Sequence, residues 1–256
     1  MRNLIFEAKQ SVIQVCRLFY SFLSGGVECA VCGSLVFTGP VCRKCQKKYF
    51  SVKNALMSKR CVCCGRTLFS ENEKCTRCRE NPVLVSTDKV IPLFSYRLWN
   101  KELMYRWKSM DERMFSPMFA KAINGVLNAA GEKVIVPVPP RKGKIRKKGW
   151  DQIEELCVFL EKRYSFTVLR LLERKTKKQQ KKLSRSERLE TIKNSYTLCS
   201  QSVLNRVLKN FSGKIPEKVC LIDDVCTTGA TLESCAEILK SAGVKTVDAV
   251  TLFTVD

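Results

Sequence analysis

The chain contains no histidine. That absence removes imidazole general-base catalysis, Ser-His nucleophile pairs and every His-ligated metal site. Acids are scarce: 24 Asp+Glu stand against 46 Lys+Arg, a formal charge of +22 over 256 residues. So large an excess argues against a metabolite enzyme with a neutral surface and predicts a polyanionic ligand, phosphates or nucleic acid. No run of 18 uncharged apolar residues occurs, so no membrane span is expected. Glu7, Lys9 and Gln10 interrupt the early apolar residues, which argues against a signal peptide.

Apolar residues make up 45% of the chain and charged ones 27%, enough for a packed core. Fifteen cysteines are present, ten of them within the first 78 residues. An odd number in a Lys-rich chain without a leader argues against a secreted disulfide scaffold and for a reducing, cytoplasmic location.

Residues 4–23 carry Ile5, Ala8, Val12, Val15, Phe19 and Phe22 at helical spacing, closed by Gly25-Gly26. The pattern predicts an amphipathic helix docked on its own protein, with a membrane-surface helix as the alternative. From about residue 90 the texture becomes alternating strand and helix. Strands are expected at 90–96, 134–138, 168–172, 218–224 and 246–253, and helices at 100–109, 116–129, 151–163 and 230–242. Residues 173–185 read as a very basic loop, and 200–217 as a short helix and a loop. Such alternation predicts α/β architecture, a parallel sheet covered by helices.

A repeat precedes it. Cys29-Ala-Val-Cys32-Gly33, then Phe37 and Cys42-Arg-Lys-Cys45, recurs 32 residues later as Cys61-Val-Cys-Cys64-Gly65, then Phe69 and Cys75-Thr-Arg-Cys78. Paired CxxC units supply four thiolates at tetrahedral reach, and the Gly after the second Cys permits a positive φ. Two structural Zn²⁺ sites are expected, paired sequentially (Cys29, Cys32, Cys42, Cys45; Cys61, Cys64, Cys75, Cys78) or as a cross-brace. Cys63 is a spare thiol, either a competing ligand or a bystander. Four filled positions leave no open site, so the module reads as structural rather than catalytic. The divisions expected are 1–26 for the helix, 27–82 for a double zinc ribbon and 83–256 for the α/β domain.

The segment Val219-Cys-Leu-Ile-Asp223-Asp224-Val-Cys226-Thr227-Thr228-Gly229-Ala230-Thr231 is the most informative. A buried strand ends in two acids, and a small-residue, hydroxylated turn opens a helix. Such a turn lets amides and hydroxyls approach an anion. Neighbouring carboxylates suit a ligand carrying hydroxyls beside its phosphate, such as a ribose. The bland alternative is a strand ending in solvated acids before a Thr-rich cap. Cys226 lies where a helix N-terminus lowers a thiol pKa, although the position is more simply an unconstrained one.

This segment resembles the phosphoribosyl-pyrophosphate (PRPP) signature of type I phosphoribosyltransferases. Pro137-Val-Pro139, Gly149-Trp150-Asp151-Gln152, Arg174…Thr176…Gln180-Lys-Lys-Leu183…Arg188, Tyr96…Lys108 and the leading CxxC repeat resemble the ComF competence family over nearly the whole chain. Trp150, Asp151 and Thr191 stand where that family usually has Phe, Asn and Asn. The resemblance implies a type I phosphoribosyltransferase fold after the ribbons, binding PRPP with Mg²⁺. It implies that Asp223 and Asp224 hold the ribose hydroxyls and the magnesium around them, and that Cys226, Thr227, Thr228, Gly229, Ala230 and Thr231 hold the 5-phosphate. Arg141, Lys142 and Lys144, with Arg174 and Lys175, would face the pyrophosphate. It also implies a role in DNA uptake, with single-stranded DNA and a competence helicase or DNA-processing protein as partners. Chemistry of this kind proceeds by pyrophosphate loss through positioning and charge, without a nucleophile.

Residues 141–148 carry six positive charges, and 170–188 carry a second cluster. Together they exceed what one pyrophosphate needs. They read either as solvated surface or as a nucleic-acid contact through Arg146, Lys147, Lys148, Lys177, Lys178, Lys181 and Lys182, with Trp150 and Tyr164 available to stack on bases. Three functions compete: a PRPP-dependent transferase, a DNA-uptake protein that binds PRPP, and a zinc-stabilised interaction module with a decayed transferase domain. The intact acids and turn count against decay.

Overall fold

The structure is a computed structural model and describes residues 2–51, 59–141, 143–175 and 195–255. Lys142, Lys177, Lys178, Lys181 and Lys182 lie outside the described residues.

Five parallel strands form the central sheet: β3 (Lys89–Ser95), β4 (Val134–Pro137), β5 (Thr167–Val168), β8 (Lys218–Cys226) and β9 (Thr246–Thr254), in the order β3-β9-β8-β4-β5. Both faces are buried, so the strands read as continuous apolar runs whose residues alternate between two cores. Ile135, Cys220, Ile222 and Val250 join one core with the helices α4 (Trp99–Lys108), α5 (Ser116–Ala129) and α7 (Gln152–Tyr164). Val136, Val219, Leu221 and Ala249 join the other, beneath α9 (Ala230–Ser241). The connection from β4 leads to β5 on one side, and that from β8 leads to β9 on the other. The topology therefore switches between β4 and β8, and in sheets of this kind the ligand crevice lies outside the carboxyl ends of the strands at such a point.

The sequence places α5, α7, α9 and their neighbouring strands to within a residue or two. Asp151 caps α7 by accepting from the amides of Ile153 and Glu154 at 2.9 and 3.2 Å. Two strands differ from expectation. β8 continues to Cys226 because Val225 and Cys226 still pair with Phe253 and Thr254 of β9. The strand expected at 168–172 is split. β5 stays in the sheet, Arg170 turns aside to pair with Glu154 at 2.8 Å, and β6 (Leu172–Arg174) leaves to pair antiparallel with β7 (Tyr196–Leu198). Residues 200–217 contain the expected short helix, α8 (Gln201–Val207).

The N-terminal helix α1 (Arg2–Leu23) docks less than its pattern predicts. Phe6 meets Phe159 edge-on at 5.4 Å and Glu7 approaches Arg163 at 3.9 Å. Ile5, Val12, Val15, Phe19 and Phe22 remain exposed.

The first ribbon spans the hairpin of β1 (Val27–Glu28) and β2 (Leu35–Val36) and the helix α2 (Arg43–Tyr49). Val36, Val41 and Phe50 merge with the main core, where Phe50 contacts Phe94 at 5.1 Å. The second ribbon ends in α3 (Thr76–Glu80) and is seated on β3. The Val90 amide donates to the Cys63 carbonyl at 3.2 Å. Gly33 and Gly65 both adopt positive φ, but only Gly65 is crowded. A Cβ there would lie 2.2 Å from Pro92 Cδ and 2.4 Å from the Val90 carbonyl. Gly33→Ala should cost about 1–2 kcal/mol through its left-handed backbone alone. Gly65→Ala should cost at least twice as much and release the second ribbon. Thermal unfolding of both variants, with proteolysis of the ribbon segment, checks this; equal losses would refute the seating.

Candidate functional site

The crevice at the β4–β8 switch gathers the acids and the threonine turn. Successive strand residues leave opposite faces. Asp224 turns toward α4 and α7 and is 7% exposed; it accepts from Gln152 Nε2 at 2.7 Å and from Lys108 Nζ. Burial alone would raise its pKa, but the charge and hydrogen bond of Lys108 hold it below the usual carboxylate range. The same pairing outweighs burial at Lys108 and raises its pKa. Asp223 is only partly buried, and its Oδ1 accepts the Asp224 amide at 2.8 Å. Burial, reinforced by the charge of Asp224, pushes Asp223 up to about 7. It is thus a carboxyl without a counter-ion of its own, which suits a divalent cation or a sugar diol.

Lys144 reaches into this network, pairing with Asp151 at 2.5 Å and donating to Gln152 Oε1. Lys148 is held inward by Asp111 at 2.5 Å and by the Lys108 carbonyl. Lys148, expected as a nucleic-acid contact, is thus engaged by groups of its own chain while its side chain stays 25% exposed. Arg146 and Lys147 of the short helix α6 (Lys144–Lys148) are exposed, and Arg141 is partly exposed. Trp150 cannot stack on bases: it is 8% exposed, packed near Trp107 and covered by the cations of Arg113 and Lys148 at 5.4 and 5.3 Å. Tyr164 packs partly buried against the main core. Arg174 lies over the Tyr196 ring at 5.3 Å, while Lys175 is exposed.

The turn itself is Thr227 to Thr231, with Gly229 at φ +87° just before α9. The Ala230 amide donates to Thr228 Oγ1 at 3.3 Å. Thr231 lies close to the buried Tyr196 phenol. Cys226 does not take the activated-thiol alternative. It ends a strand rather than opening the helix, its side chain is 5% exposed, and burial followed by the charge of Asp223 pushes its thiol up to about 11. It contributes backbone to the turn and no reactive sulfur.

Two cysteine clusters form with sequential pairing, so the cross-brace does not occur. In Cys29/Cys32/Cys42/Cys45 and in Cys61/Cys64/Cys75/Cys78 the sulfurs lie within 4.8 Å of one another. Amides already point at sulfur: Cys42 N to Cys29 at 3.2 Å, and Cys75 N to Cys61 at 3.4 Å. The thiols of each cluster are driven apart. Ser34 lowers Cys32 to about 6, and burial pushes Cys45 up to about 12. At Cys61 the amides of Cys64 and Cys75 overcome burial and bring it to about 7, while burial pushes Cys78 up to about 12. Four such groups ionise together only around a cation, so the donor set fits a tetrahedral thiophilic metal. Cys63 stands outside the second cluster.

Sequence reasoning did not single out four groups as contributors to the site: Lys108, Gln152, Tyr196 and Arg77. Lys108 and Gln152 stood inside motifs already noted. Arg77 and Tyr196 carried no local signal.

The phosphoribosyl transferase domain family matches residues 167–256. The chain is 29% identical over 160 residues to "Competence protein ComFC" of Streptococcus pneumoniae, a match covering 60% of this chain and 63% of that protein, just under two thirds of its length. It is 25% identical over 218 residues to "Competence protein F" of Haemophilus influenzae (81% of this chain, 87% of that protein). It is 22% identical over 239 residues to "Competence protein ComFC" of Bacillus subtilis (93% and 82%). The parallel sheet, the acid pair and the turn define a phosphoribosyltransferase-fold protein. With two four-cysteine clusters ahead of that fold, the chain is similar to these ComF-type competence proteins along most of its length. Among the described residues no helix is long and apolar enough to cross a membrane.

A carboxyl whose native pKa exceeds its unfolded value of about 4 loses stability as the pH rises from there through its native pKa, because the native state holds a proton that the unfolded chain has released. For Asp223 the interval runs from about 4 to about 7. Asp223→Asn should leave Tm nearly unchanged at pH 4 and raise it by a few degrees at pH 8, measured by calorimetry.

Proposed function

We propose that this protein binds PRPP with Mg²⁺ at the β4–β8 crevice, carries Zn²⁺ in both four-cysteine clusters, and acts in DNA uptake. The observation that carries the PRPP reading is the junction of a counter-ion-poor Asp223 with a turn of small, hydroxylated residues at the mouth of a helix. In this reading the turn from Thr227 to Thr231 receives the 5-phosphate and Asp223 accepts from the ribose hydroxyls. Asp224 acts one step removed: it holds Lys108 and Gln152 in place. Lys108, whose side chain is 43% exposed, and Lys144 present positive charge to the pyrophosphate. Mg²⁺, when bound, would be held by Asp223 and would supply positive charge against the pyrophosphate. Developing positive charge on the sugar is favoured by the two carboxylates, and departing negative charge by the lysines.

Calorimetric titration with PRPP, with and without Mg²⁺, tests this. Binding should require Mg²⁺, and Asp223→Asn with Asp224→Asn should weaken it at least tenfold. Because Asp223 titrates near 7 in the free protein, ligand binding at pH 6 should expel close to one proton. The release should vanish above pH 8 and in Asp223→Asn. Unchanged affinity in the double variant overturns the site.

The DNA-uptake reading is supported by the similarity to competence proteins and by the exposed cations Arg146, Lys147 and Lys175. It predicts single-stranded DNA binding whose affinity falls steeply with salt, with a shallower slope in Arg146→Glu/Lys147→Glu. A flat salt response in fluorescence anisotropy removes the DNA contact. The remaining reading is then a PRPP-dependent transferase with the ribbons as a structural module, which pyrophosphate release with an acceptor would establish.

A further inference from the structure

The two ribbons are related in sequence but not in what they touch. In the second, Arg77 stands between Cys75 and Cys78. Its Nη1 donates to the Thr227 carbonyl at 3.2 Å and its Nη2 to the Thr228 carbonyl at 3.3 Å. The guanidinium fork thus spans two successive carbonyls of the turn. Its counterpart in the first ribbon is Lys44, an exposed residue. In a trans peptide the N–H points opposite to the C=O of the same plane. With both carbonyls drawn to Arg77, the amides of Thr228 and Gly229 face away from the ribbon. Freed of Arg77, those peptide planes could turn, and a carbonyl presented to an oxyanion repels it.

Two further contacts fix the same turn. Leu84 packs on Gly229 so closely that a Cβ there would lie 2.9 Å from Leu84 Cδ2. Glu233, in the first turn of α9, is 5% exposed and accepts from the Ser86 amide at 2.6 Å and from the Thr87 amide and hydroxyl at 3.1 Å. Its charge is thereby satisfied by the segment leaving the ribbon and does not compete for the amides that open the helix. The Arg66 guanidinium adds a bond to the Val255 carbonyl at 3.0 Å.

We infer that Arg77 is a positioning residue for the phosphate turn, so that the metal-binding state of the second four-cysteine cluster and the occupancy of the turn by a phosphomonoester are energetically coupled. The inference rests on the PRPP reading and extends it to regulation of that site by the ribbon. Coupling of this kind is reciprocal: a seated phosphate must also tighten the second cluster's hold on its metal.

The test uses the full-length, zinc-loaded protein. Calorimetry measures ribose 5-phosphate and inorganic pyrophosphate on the wild type, Arg77→Ala and Arg77→Lys. Arg77→Ala should weaken ribose 5-phosphate about tenfold and change pyrophosphate less than twofold, a selectivity that general loosening would not give. Arg77→Lys should recover part of the loss. In a second measurement, zinc is drawn from the wild type by a chromophoric chelator. Ribose 5-phosphate should slow the release of one of the two zinc ions severalfold, and the protection should disappear in Arg77→Ala. Arg77→Ala binding ribose 5-phosphate as tightly as the wild type, or zinc release from the wild type indifferent to the ligand, overturns the coupling. If Arg77→Ala does not fold, the release experiment on the wild type decides alone. Failure of the wild type to bind either ribose 5-phosphate or PRPP instead overturns the phosphate-site reading itself.

Discussion

A parallel strand covered on both faces can present polar chemistry only at its ends. β8 obeys that constraint: Val219, Cys220, Leu221 and Ile222 are fully buried, and charge appears only at Lys218 at its start and at Asp223 and Asp224 where it approaches the switch crevice. The cost of placing two carboxyls there is visible in their unequal fates. Asp224 sinks and is neutralised by Lys108, whereas Asp223 remains partly open and resists ionisation. A buried like-charged pair cannot have both members satisfied from within one protein, and the unsatisfied member is the one that a ligand can reward.

The same logic organises the basic excess. Much of it is not a free surface. Lys108, Lys144 and Lys148 are tied into one network around Asp224, Asp151 and Asp111, and Arg113 and Lys148 enclose Trp150. The cations left outward, such as Arg146 and Lys147, sit on a five-residue helix beside the crevice. Charge that seemed in composition to be one property divides into a structural share and a share turned to solvent.

The ribbons show how a four-cysteine module can reach a candidate site without supplying chemistry to it. Each cluster gathers four sulfurs whose ionisation is mutually opposed, so a bound cation would organise a segment too short for a core of its own. The first ribbon spends its apolar residues on the main core through Phe50 and Val41. The second is pressed onto β3 at Gly65 and reaches the turn through Arg77. Two copies of one motif thus acquire different roles from their neighbours.

The cysteine spacing, the alternation of elements and the Asp-Asp-x-x-Thr-Thr-Gly-Ala-Thr run were legible because each rests on contacts within a few residues: a knuckle, a strand period, a turn at a helix mouth. Sequential cluster pairing is of the same local kind. The burial of Trp150 and of the Cys226 thiol was not legible, because their surroundings come from distant segments, Arg113 in one case and the paired edge of β9 in the other. Arg77 and Tyr196 carried no signal because 150 and 35 positions, respectively, separate them from the threonines they touch. Local chemistry is written in neighbouring residues, since short-range geometry has few solutions. Which carboxyl is neutralised, which amides face outward and which ribbon governs the turn depend on contacts that exist only once the sheet has closed.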